Sequence, residues 1–149
     1  MMKFFAAMIV FFTLLPSSYG QEPCPVDTNC GGIPRYREYG NIRFSDERAV
    51  LNNLAVQLRN SQNEIAYFLI YAGLTSCRDE AAKRAIRAKS YLVHKHGIPA
   101  DRVLWKDGGF RVDLSTEIWL LPRGKQLPEP SPMLNRKDVR VAGKCKIRS

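Results

Sequence analysis

Residues 65–72 read Ile-Ala-Tyr-Phe-Leu-Ile-Tyr-Ala, an apolar run with neither alternating side left polar. Successive side chains of a strand point to opposite faces, so a strand that is apolar on both belongs inside a sheet that is covered on both sides. This run therefore predicts the middle strand of a sheet, and the rest of the chain has to supply its neighbours and its cover.

Two amphipathic segments flank it. Before it, Leu51, Leu54, Ala55 and Leu58 form one helical stripe, and Ser45, Asp46 and Glu47 supply the capping oxygen and first-turn acids of a helix start. After it, residues 78–95 offer Ala81, Ala85, Ala88 and Leu92, with Ile86 and Val93, to a core, while Arg84, Arg87 and Lys89 spread over other faces. Ser76, with Asp79 three residues on, predicts the start of this second helix, and Gly97 can take the left-handed conformation that ends it. Tyr39, Ile42 and Phe44 suggest a first strand broken by Gly40. Residues 102–106 read as a third strand, Asp107-Gly108-Gly109 as a turn, and residues 114–121 as a fourth strand. The order β-α-β-α-β-β predicts an α+β fold, a two-layer sandwich of two helices on one mixed sheet.

The ends of the chain have a different chemistry. Lys3 precedes an apolar run to Leu15, and Ser18 and Gly20 follow, so residues 1–20 read as a signal peptide cleaved near Gly20. This predicts a periplasmic or secreted protein that does not span a membrane. Loss of Lys3 with the leader takes the 23 basic residues to 22 against 14 acidic ones, a formal charge of +8 that draws a protein to polyanions. Residues 21–35 form an irregular Cys- and Pro-rich lead-in, residues 36–122 the domain, and residues 123–149 a Pro-rich, basic linker and tail. Val139, Val141 and Ile147 in that tail offer a weak edge strand. Cys24, Cys30, Cys77 and Cys145 are an even set in an exported chain and are disulfide candidates with three possible connectivities. Pairing Cys24 with Cys30 closes a local loop, and pairing Cys77 with Cys145 ties the tail to the body.

Arg84-Ala85, Tyr91-Leu92, Gly97-Ile98 and Arg102-Val103 follow one another in an order and spacing that, with Thr116-Glu117-Ile118 as a closing strand, resembles the OmpA-like peptidoglycan-associating domain. The resemblance covers about residues 39–122. It implies the sandwich described above and a non-enzymatic envelope module. In that family an Asp and an Arg clasp the amine and carboxylate of a diaminopimelate residue in the wall peptide. Arg84 matches the Arg, whereas Cys77 stands at the family's Asn position, Glu80 and Ala81 stand at its Leu-Ser, and the loop at residues 73–76 carries no carboxylate.

The residues assigned to a ligand are Arg84, Arg87 one turn on, Asp79 at the helix start and Thr75 in the loop before it. An arginine near a helix start can form a two-pronged contact with a carboxylate, aided by unpaired backbone N–H groups. The bland alternative is a solvated basic helix face. The implied partner is peptidoglycan or another anionic envelope polymer, or an envelope protein if wall recognition has been lost. A thiol enzyme built on Cys77, taken to lie in the first helical turn, is a third reading. His94 and His96 point about 200° apart on a helix and do not suit one metal ion, so no metal or other cofactor is expected. Scattered basic residues and the leader argue against nucleic acid.

Overall fold

The apolar run lies at the centre of a four-stranded sheet. The computed structural model describes residues 33–143. In chain order the elements are β1 (Arg35–Tyr39), α1 (Phe44–Asn60), β2 (Glu64–Ala72), β3 (Thr75–Cys77), α2 (Glu80–Ser90), β4 (Val103–Phe110), β5 (Ser115–Pro122) and β6 (Arg140–Ala142). The main sheet runs β1-β5-β2-β4, and β3 and β6 form a separate parallel pair. Within the main sheet, β2 is parallel to β4 and antiparallel to β5, which is in turn antiparallel to β1. The architecture is therefore α+β, with two helices on a mixed sheet.

The alternation of β2 divides the core in two. Ala66, Phe68 and Ile70, with Ile118 of β5, meet Leu51, Leu54, Ala55 and Leu58 of α1 and Ala81, Ala85 and Ala88 of α2. Alanines at the contact let α2 approach closely, and each fully buried leucine of α1 contributes about 1.5–3 kcal/mol. Tyr67, Leu69 and Tyr71 point the other way and cluster with Trp119 and Leu121, and Leu104 and Leu127 pack against them. The proline-rich segment after β5 is bonded to this side of the molecule. The Ser131 N–H donates to the Tyr71 hydroxyl at 3.2 Å, Lys106 pairs with Glu129 at 3.0 Å, and the backbone N–H groups of Met133 and Leu134 donate to the Phe110 carbonyl.

Arg102, at the end of a 3-10 turn just before β4, fastens the sheet to α1. Its guanidinium donates to the Leu58 and Ser61 carbonyls at 2.7 Å each and, through Nε, to the Glu64 carbonyl at 2.9 Å. Carbonyls at a helix C-terminus have no partner within the helix, and a cation there also meets the negative end of the dipole.

Several local expectations are corrected. β1 ends at Tyr39, before Ile42 and Phe44, because the chain turns at Gly40 and Phe44 already begins α1, its ring beneath the Arg87 guanidinium at 4.3 Å. Ser76 does not cap α2: it is buried in β3, opposite Val141 of β6, and Asp79 precedes the helix in the left-handed conformation, φ 57°. The α-helix stops at Ser90 and a π-helical turn, Tyr91–Lys95, carries the chain to Gly97, which takes φ 66° as expected of the exit. Asp107-Gly108-Gly109 is not a turn but a bulge within β4. Ile70 pairs with Asp107 and Tyr71 with Gly109, leaving Gly108 as the extra residue. A Cβ at Gly108 would lie 2.5 Å from the Tyr71 ring, so only glycine lets that ring lie flat on the strand. β4 and β5 are not sheet neighbours, and residues 111–114 cross the end of β2 between them.

Candidate functional site

That crossing builds a cleft. The Arg111 N–H donates to the Ala72 carbonyl and the Leu74 N–H to the Val112 carbonyl, holding the crossing segment against the exit of β2. A Cβ at Gly73 would lie 3.1 Å from the Leu114 nitrogen, so glycine is what permits so close a passage. Gly40 and Asn41 after β1, Gly73, Leu74 and Thr75 after β2, Glu80 at the start of α2, and Val112, Asp113 and Leu114 of the crossing enclose about 400 Å³. Clefts at the carboxyl ends of parallel-running strands are common ligand positions because the chain diverges there.

Glu80 is the organising side chain. One carboxylate oxygen accepts Nε and Nη2 of Arg84 at 3.2 Å each, and the other accepts the backbone N–H of Cys77 at 3.0 Å. Arg84 also donates to the Asn41 Oδ1 at 2.7 Å. Its residue exposure is 2%, so it is neither a solvated arginine nor one reaching into open solvent; its charge is met by Glu80 and it braces Glu80 and Asn41 in the cleft wall. Asp113 is exposed and has no ion-pair partner among the described residues. Among the described residues no Lys, Arg or His lines the cleft.

The four residues assigned from sequence are dispersed. Thr75 lines the cleft, and Arg84 stands behind it. Asp79 turns to a smaller hollow of about 120 Å³ beyond β3, with Ser76, Arg78, Asp107 and Arg136. Arg87 faces α1, where it pairs with the buried Glu47 at 2.7 Å, and the Tyr39 hydroxyl donates to the other oxygen of Glu47 at 2.8 Å. Burial, and then the charge of Glu47, pushes the Tyr39 phenol well above its usual range.

Cys77 is disulfide-bonded and ends β3, not the first turn of a helix, so it offers no thiolate to a reaction. Its partner, and with it the roles of Cys24, Cys30 and Cys145, lies outside the described residues. His96 meets Asn52 at 2.9 Å and the Tyr91 ring, and His94 lies in an exposed groove on α2. Among the described residues no three His, Cys, Asp or Glu side chains converge as a metal site would require, and no helix is long and apolar enough to cross a membrane.

Asn41 and Asp113 were not singled out in the sequence, since both reach the cleft only through long-range folding. The Glu80–Arg84 pair did carry a signal, four residues apart on one helix. Comparison with protein-family models, curated proteins and solved structures finds no match for this chain.

Proposed function

We propose that this protein is a non-enzymatic binding module of the cell envelope. In this reading its cleft holds the amino end of a cell-wall peptide. The observation that carries it is the lining of the cleft: the exposed carboxylate of Asp113, with the polar groups of Thr75 and Asn41, the Glu80 carboxylate already held by Arg84 and the Cys77 N–H, and no basic side chain among the described lining residues. Such a lining suits an ammonium donor and repels nothing that carries one. Arg84 acts behind the wall, fixing Glu80 and Asn41, in place of the direct anion contact expected from sequence. The reading takes its ligand class from the sequence resemblance to the peptidoglycan-associating domain, and two helices on a mixed sheet are compatible with it. The formal charge of the chain supports attraction to anionic envelope polymers over longer range.

Co-sedimentation of the mature protein with purified peptidoglycan at low and moderate salt tests this. The expected result is salt-resistant binding that Asp113→Asn weakens about tenfold, as loss of a charge-assisted hydrogen bond implies, and that Asp113→Lys abolishes. Asp113 is exposed, so neither variant threatens the fold. Absence of binding, or binding removed by salt equally in all three proteins, rejects wall recognition and favours the second reading, a protein-interaction module. The internal commitment of Arg84 to Glu80 and Asn41 is what favours that second reading.

A further inference from the structure

The outer side of α2 is unlike an ordinary solvated helix face. Ile86 is 58% exposed, and with Lys89, Ser90, Val93, His94 and Ala100 it lines a shallow groove of about 400 Å³. The positions 86, 89, 90, 93 and 94 follow helical spacing, so they form one stripe running onto the π-helical turn. From Ala81 to Pro99 the sequence contains no acidic residue. Arg84 and Arg87 are turned inward to Glu80 and Glu47, which leaves Lys83, whose ammonium donates one proton to the Arg78 carbonyl at 2.9 Å, and Lys89 one turn to either side of Ile86, with the exposed Lys95 at the far end of the stripe. The next acid along the chain, Asp101, is paired with Arg123 at 3.0 Å.

We propose that this stripe docks on an anionic phospholipid surface, with Ile86 and Val93 entering the headgroup region and Lys83 and Lys89 meeting lipid phosphates. Charge complementarity selects the occupant: none of the six lining residues is acidic, Lys89 is one of them, and Lys83 stands one turn before Ile86 beside the groove. A soluble polyanion would use the lysines but gain nothing from an exposed isoleucine, whereas a membrane interface rewards both. The surface is distinct from the cleft, and the inference does not depend on what the cleft binds.

Flotation of the mature protein with vesicles of phosphatidylcholine alone and of phosphatidylcholine with phosphatidylglycerol provides the test. Binding is expected only with the anionic lipid. Lys89→Ala should weaken it about fivefold, and Ile86→Asp about tenfold or more. Both side chains lie at the surface, and matching circular dichroism and melting curves establish that the variants are folded. No binding to anionic vesicles overturns the proposal. Vesicle binding indifferent to Ile86→Asp, or matched by inorganic polyphosphate, also overturns it, because charge alone would then account for the attraction. Binding to an acidic protein with no vesicle binding would assign the stripe to a protein partner instead.

Discussion

Glu80 and Arg84 form a nearly closed pair, one carboxylate oxygen receiving two guanidinium N–H groups at 3.2 Å each, with side-chain exposures of 10% and 3%. Removing one member of a buried pair leaves the other charge uncompensated, which typically costs about 3–5 kcal/mol. Arg84→Ala should therefore lower the unfolding free energy by about 3 kcal/mol in a denaturant titration. A change below about 1 kcal/mol would mean that the pair does not brace the cleft wall. Because this variant perturbs folding and cleft together, Asp113 is the better probe of binding.

Arg102 should resist even its conservative replacement. Three carbonyls, those of Leu58, Ser61 and Glu64, converge on its planar fork. A lysine presents a single ammonium and cannot reach all three. Arg102→Lys is expected to cost about 2 kcal/mol and Arg102→Ala about 3–4 kcal/mol, since hydrogen bonds from a charged donor are each worth about 1.5–3 kcal/mol. Hydrogen exchange at the end of α1 should accelerate in both.

At Gly108 the test is steric. Even a methyl group would overlap the Tyr71 ring, which also carries the Arg111 guanidinium 3.5 Å from its centroid. Gly108→Ala is expected to destabilise by about 1–3 kcal/mol, the usual range for overpacking. Combining it with Tyr71→Ala should recover much of that loss, as measured by a double-mutant cycle in denaturant.

Stability should fall at both ends of the pH range. Burial and Glu47 hold the Tyr39 phenol well above its usual value, and burial first, then Glu129, raises Tyr67. The folded state therefore keeps protons that the unfolded state sheds as pH rises past about 10, and stability declines there. His96 behaves in the opposite sense: burial, then Arg59 and Lys95, lowers its pKa. The unfolded state binds its proton more readily, so stability is lost as pH drops through about 6.5. Melting temperatures across this range should form a plateau, and Tyr39→Phe should lessen the alkaline decline. Tyrosinate absorbance appearing fully near pH 10 with the fold intact would contradict this.

The core was legible in the sequence because it rests on periodicity. The two-sided apolar run placed β2, the Leu51-Leu54-Leu58 stripe placed α1, and the alanines of α2 declared its packing face. Gly97 was legible for a similar reason, since a lone glycine after a helix serves one conformational purpose. Gly108 and Gly109 misled because the same residues suit a turn or a bulge, and only the Tyr71 ring and the Asp107 carboxylate, which accepts the Gly109 N–H at 2.9 Å, decide between them. The cleft was half visible. The sequence named Thr75, which lines the cleft, and Arg84, which stands behind it, yet the burial of Arg84, and the approach of Asn41 and Asp113, depend on separations of tens of residues that no local pattern encodes.

The cleft itself is best tested by titrating isotopically labelled protein with a soluble cell-wall peptide that bears a free amino group, following backbone amide shifts. The expected result is saturable movement of Gly73, Leu74, Thr75 and Asp113, absent in Asp113→Lys and absent with the amine-acetylated peptide. No movement at saturating peptide, or movement confined to the outer face of α2, would contradict the assignment of this cleft as an amine-recognising wall-peptide site.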